Sequence, residues 1–128
     1  MIPAELKYHT EHEWIRVEGK TAVLGITDYA QEALGDVVFL DLPAMGSVVK
    51  AGQEIGEVES TKTTSAIYTP VNGKIVGVND ALKDKPELIN KEPYGHGWIA
   101  KIEMSDMGEV KNLMDAKQYE AFLKEESP

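Results

Sequence analysis

Apolar residues come in short runs, broken at close intervals by glycine, proline and charge, the pattern of many short strands rather than of long helices. "EWIRV" (Glu13–Val17) and "TAVLGI" (Thr21–Ile26) flank Glu18-Gly19-Lys20 and predict a hairpin. "TDYAQEAL" follows, with Thr27 as the N-cap, strong helix formers after it and Gly35 as the stop, so a short helix is expected there. "DVVFLDL" (Asp36–Leu42) is apolar at successive positions and predicts a strand buried on both faces. Further on, "AGQEIGEV" and "VNGKIVGV" each place a glycine turn before a Val/Ile strand, and Lys50 and Lys74 each stand 12 residues from Lys62. The symmetry suggests a weak internal two-fold repeat centred on that lysine. "DALKDKPELINKEPYGHG" (Asp80–Gly97) is polar and turn-rich and reads as a loop with one helical turn, and "WIAKIEM" as the last strand. The tail changes period: Asp115 can cap a helix with Gln118 at the capping-box position, and Tyr119, Phe122 and Leu123 form one apolar stripe at i, i+3, i+4. A mostly β domain is expected over residues 1–128, with its core at about 8–104 and a C-terminal helical extension at about 108–125.

Charge narrows the partners. Against 13 basic side chains stand 22 acidic ones, a net charge of −9, and no stretch clusters lysine or arginine. Nucleic acid and an anionic membrane surface are therefore not expected to bind. No apolar run approaches the roughly 20 residues that span a bilayer. The opening "MIPAELKYHT" has neither an apolar signal core nor an Arg- and Ser-rich transit pattern, so a cytoplasmic monomer is the expectation. The chain has no cysteine, which removes disulfides, cysteine-ligated metals and thiol nucleophiles from what its own residues can supply.

One stretch stands apart. In "VESTKTTSAIYTPVNG" (Val58–Gly73), Lys62 sits among Ser60, Thr61, Thr63, Thr64 and Ser65, with strand-like sequence on both sides. It is the one basic residue between Ala51 and Gly73, amid Glu54, Glu57 and Glu59. Tight hairpins normally recruit Asn-Gly or Asp-Gly, yet Val58–Thr69 contains no Gly, Asn, Asp or Pro. A solvated surface charge is the plain reading of one lysine. An unobstructed amine at a unique address suits a lysine that another enzyme acylates, and a lipoyl-lysine arm would reach on the order of 14 Å. Such a tether presents cargo at high effective concentration. No convergent nucleophile, base, metal cluster or phosphate loop marks the chain as an enzyme. His9 and His12 lie near Glu11 and Glu13, but the segment reads as strand entry, which favours ordinary hydrogen-bonding histidines over metal ligands.

Several separated motifs together resemble the glycine cleavage system H protein family, the lipoyl carriers. "YHTEHEWIR" is similar to the family's opening His-Glu-Trp segment, "GITDYAQEALGDVVFLDLP" to its helix-then-strand signature, "ESTKTTSAIYTPVNGKIVGVN" to its lipoylation hairpin, and "INKEPYGHGW" to the segment before the last strand. The likeness runs from about Tyr8 to Phe122. It implies a barrel-sandwich hybrid of two small antiparallel sheets with short helices and a C-terminal helix, and lipoate attached through Lys62. It also implies a non-catalytic carrier that works with a pyridoxal-phosphate glycine decarboxylase, a tetrahydrofolate-dependent aminomethyltransferase, an FAD-dependent dihydrolipoyl dehydrogenase and lipoate-attaching enzymes.

In the family the loaded arm rests against the His-Glu-Trp segment. The resemblance thus makes Glu13 the expected partner of the arm's amine, with Glu11 close by and His12 and Trp14 shaping the wall. Two departures stand out: Ala66 occupies the position, four residues after the lysine, where the family commonly has an acid, and Thr61 stands where it often has valine. The competing readings are an H-like lipoyl carrier serving lipoyl relay or sulfur metabolism, and a β-rich interaction module whose lysine is never modified. A biotin carrier fits less well, because Thr61 and Thr63 replace its flanking methionines.

Overall fold

The structure, a computed structural model, describes residues 2–126. In chain order the elements are β1 (Lys7–Tyr8), β2 (Glu13–Glu18), β3 (Thr21–Ile26), α1 (Asp28–Leu34), β4 (Val37–Asp41), β5 (Val48–Val49), β6 (Glu54–Ser60), β7 (Thr64–Tyr68) and β8 (Gly73–Val78), then α2 (Ala81–Asp84), α3 (Leu88–Lys91), β9 (Ala100–Met104), a 3₁₀ turn (Met107–Asn112) and α4 (Ala116–Glu126). The strands form two antiparallel sheets of unequal size, one ordered β1-β2-β3-β9-β8-β5 and the other β4-β6-β7. Their inner faces enclose a core that includes Ile15, Leu24, Val58, Ile67, Ile75 and Ile102. A second cluster, around Tyr8, Trp14 and Tyr119, joins the larger sheet to α4.

Local chemistry explains the elements that the pattern predicts. The β2–β3 register pairs Glu18 with Thr21, leaving a loop of Gly19 and Lys20 in which Gly19 takes φ 64°. Thr27 caps α1 by accepting the Ala30 N–H at 3.2 Å. The C-terminal capping box forms in both directions: Gln118 N–H donates to Asp115 Oδ1 at 2.8 Å, and Asp115 N–H to Gln118 Oε1 at 2.9 Å. The stripe behind it seats the helix, since Tyr119 is fully buried and stacks on Tyr8 with ring centres 4.7 Å apart. Gly25 opposite Trp14 is a packing requirement, because a Cβ there would stand 2.6 Å from the indole ring.

Two expectations change. The strand expected to be buried on both faces is β4, whose Val38 and Phe39 are 49% and 58% exposed. β4 is the edge of the three-stranded sheet and carries a bulge between Val37 and Phe39, so Val37 and Leu40 face the core while the residues between them turn outward. The segment expected to be a loop with one helical turn contains two, α2 and α3, separated by Pro86. Each is pinned by one buried side chain, Leu82 or Ile89, and four residues are too few to show helical periodicity. The halves of the suspected repeat, β6 and β8, lie in different sheets, and each slips register once beside a glycine, Gly56 or Gly77. Among the described residues, no helix is long and apolar enough to cross a membrane.

Candidate functional site

Lys62 occupies the turn between β6 and β7, where Glu59 pairs with Thr64. Ser60 supplies what asparagine or glycine would otherwise provide. Its backbone N–H donates to Thr63 O at 2.8 Å, and its Oγ accepts the N–H groups of Lys62 and Thr63 at 3.2 and 3.1 Å. The Ser60 hydroxyl donates in turn to Thr63 O at 3.2 Å. With the side chain closing the turn, Thr61, Lys62 and Thr63 all keep negative φ. The tip is also moored sideways, through Thr61 N–H to Asp36 O at 3.0 Å.

The stem of Lys62 lies over Gly35, the residue that ends α1. A Cβ at Gly35 would meet Lys62 Cε at 2.9 Å, and the glycine holds φ 82°. Asn90 of α3 fastens this corner: its Nδ2 donates to Gly35 O at 2.8 Å and Gln31 Oε1 at 3.0 Å, and its Oδ1 accepts Val37 N–H at 2.9 Å. The lysine thus projects from a braced platform, exposed to solvent.

Beside the tip opens a cleft of about 320 Å³. One wall is Thr63–Ile67, the second is α1 with Tyr29 and Ala33, and the third is the loop Glu11–Glu13. Glu13, only 1% exposed, already has both carboxylate oxygens engaged: Oε1 lies 2.7 Å from His9 Nδ1, and Oε2 accepts Tyr68 N–H at 3.0 Å. Burial pushes its pKa up, with the His9 and Tyr68 hydrogen bonds pulling the other way. His12 lines the cleft in a left-handed backbone, φ 73°, with Nδ1 2.8 Å from Tyr119 Oη and Nε2 2.9 Å from Glu126.

Of the residues singled out in the sequence, Glu11, His12 and Glu13 come together at this cleft, beside the hairpin that bears Lys62. Trp14 does not line it. Its ring is wholly buried, with the indole N–H donating to Ile26 O and Pro93 O at 3.0 Å each. Ala66 lines the hairpin wall, so that wall offers hydroxyls and methyls but no acid. Among the described residues, no group of three or more His, Asp or Glu side chains could hold a metal ion. Gly35, Asn90 and Tyr119 join the site without having been singled out for it in the sequence, and Ser60 and His9 take roles there, closing the turn and holding Glu13, that the sequence did not assign them. The serine three residues before Thr63 was a usable turn signal, whereas Asn90 and Tyr119 act on partners more than 50 residues away.

Comparison with known proteins finds relatives along nearly the whole chain. The family model described as "Glycine cleavage H-protein" matches residues 6–126. The glycine cleavage system H protein of Symbiobacterium thermophilum is 55% identical over 124 residues, covering 97% of each chain. That of Escherichia coli is 57% identical over 126 residues, covering 98% of each. The crystal structure of a glycine cleavage system H protein from Mycobacterium marinum superposes with a TM-score of 0.88 at 42% identity, covering 96% of this chain and 99% of the other.

Proposed function

The chain belongs to the glycine cleavage H-protein family, and from that premise we propose that Lys62 bears a covalent lipoyl group and that the chain serves as a carrier, not as an enzyme. The observation behind this reading is the juxtaposition at one end of the molecule. An exposed lysine on a braced tip adjoins a cleft with a buried carboxyl group at its far end. When attached, the lipoyl group supplies a reversible disulfide and a sulfur that can hold an aminomethyl group between a glycine decarboxylase, a folate-dependent aminomethyltransferase and a dihydrolipoyl dehydrogenase.

The chain's own residues then have three tasks. Ser60, Thr61 and Gly35 orient the Lys62 stem, so that modifying enzymes meet a fixed amine on an otherwise featureless tip. The threonine and serine hydroxyls and the Ala66 methyl keep the path from tip to cleft narrow and uncharged. A strand rises about 3.3 Å per residue, so the four positions from Lys62, in the turn, to Ala66, on β7, span at most roughly 13 Å, within the reach of a lipoyl-lysine. Glu13, with Glu11 at the mouth, is left as the anionic partner for a protonated amine, since the hairpin wall has no acid. A cleft that excludes water at that point slows the loss of a hydrolysable adduct.

The test is a reconstituted glycine–bicarbonate exchange with a purified decarboxylase. The lipoylated chain is expected to support exchange, and Lys62→Arg, treated identically, to support none. Exchange by the arginine variant would refute the assignment.

A further inference from the structure

None of the residues lining the cleft comes from α4, yet α4 is tied to two of its three walls. The link is one oxygen. Tyr119 Oη, on a fully buried side chain, lies 2.8 Å from His12 Nδ1 and 2.8 Å from Thr27 Oγ1. His12 belongs to the loop wall, and Thr27 is the N-cap of α1, whose first turn begins the helical wall. These partners are 107 and 92 residues from Tyr119 in sequence. The two walls also touch directly, through Thr27 N–H to His12 O at 3.0 Å.

We infer that Tyr119 is a positioning residue for the cleft: its hydroxyl, delivered by α4, holds the left-handed His12 wall against the start of α1. The inference rests on the carrier reading above and adds to it a role for the C-terminal helix. A non-glycine residue in the left-handed region persists where its surroundings over-determine it. Here His12 is held by its backbone N–H to His9 O at 2.9 Å, its carbonyl to Thr27, its Nδ1 to Tyr119 and its Nε2 to Glu126. With His12 neutral, the protons run in one sense along this chain. Thr27 Oγ1 accepts the Ala30 N–H and donates to Tyr119 Oη, Tyr119 donates to His12 Nδ1, and His12 Nε2–H donates to the Glu126 carboxylate. The Tyr119 ring is set independently of its hydroxyl, by the stack on Tyr8. Packing and positioning can therefore be separated by removing one atom.

Tyr119→Phe keeps the ring and the stack. In the full-length unmodified chain, the amides of His12 and Thr27 are expected to exchange with solvent at least several-fold faster than in the parent, with the β8 and β9 amides unchanged. The His12 ring nitrogens are expected to lose their single-tautomer NMR signature. In the aminomethyl-loaded chain, ammonia release is expected to rise several-fold. Leu123→Ala, on the same helix and packed on the same cluster, is the packing control, expected to lower the melting temperature without moving the His12 and Thr27 amides. Parental exchange in Tyr119→Phe, or equal acceleration in Leu123→Ala, would overturn the inference. So would faster release in Glu13→Ala but not in Tyr119→Phe, an outcome that leaves the cleft reading standing. If neither variant speeds release, the protective cleft itself is wrong, and Tyr119 has nothing to position.

Discussion

The hairpin tip and the cleft beside it share β7 but are assembled in opposite ways. The tip closes on partners three residues apart, Ser60 with Thr63, and leaves its lysine in solvent. The cleft closes on partners 55 to 107 residues apart, Glu13 with Tyr68 and His12 with Tyr119, and buries its carboxyl group. The lysine turn is thus closed by its own residues and braced from outside by Asp36 and the Gly35–Asn90 corner. The cleft is closed by residues brought together from distant parts of the chain. Damage is expected to spread from the cleft into global stability and to stay confined at the tip.

The strongest challenge to this contrast is Tyr119→Ala. Deleting a buried aromatic from the second cluster is expected to cost about 3–5 kcal/mol, read by denaturant titration. In the fraction that stays folded, the Lys62 and Thr63 amides should retain parental exchange rates. Loss of tip protection in that variant would mean the two regions are not independent.

Glu13→Gln sharpens the contrast through pH. Burial raises the Glu13 pKa, so the native state holds its proton more tightly than the unfolded chain does. The resulting stability is fully present below the unfolded glutamate value, about 4.3, and is lost as pH rises through the higher folded value. Glutamine has no proton to lose. The melting temperature of Glu13→Gln minus that of the parent is therefore expected to increase from acid toward neutral pH and to level off above the folded value. A flat difference would show that the carboxyl group is not held in a buried setting.

Ser60→Ala is the mildest. It removes the hydroxyl's bonds to Lys62 N–H, Thr63 N–H and Thr63 O, leaves the Ser60 N–H to Thr63 O bond in place, and is expected to cost about 1 kcal/mol. The Lys62 and Thr63 amides should exchange faster, with no change at His12 or Thr27. Acceleration at those cleft amides would contradict local construction of the tip.

This difference also determines what could be read from the chain. The Lys62 tip, the β2–β3 hairpin, the Thr27 cap and the Asp115–Gln118 box are legible because each is a relation among residues a few positions apart. The outward turn of Val38 and Phe39 is not, because a continuous apolar run looks the same whether a strand is central or is a bulged edge. Glu11, His12 and Glu13 were reached through family likeness, but the Tyr119 hydroxyl between His12 and Thr27 leaves no trace in periodicity. Trp14 shows the limit of motif reading, since the residue beside Glu13 in sequence is turned into the core.

The central claim is that one amine, on the locally built tip, is where the arm is attached. Its most direct test is peptide mapping by mass spectrometry after incubating the full chain with lipoate, ATP and a lipoate–protein ligase. A single lipoyl adduct on the peptide containing Lys62, with Lys50 and Lys74 unmodified and the Lys62→Arg chain unchanged in mass, is the predicted result. An adduct on any other lysine, or on the arginine variant, would contradict it.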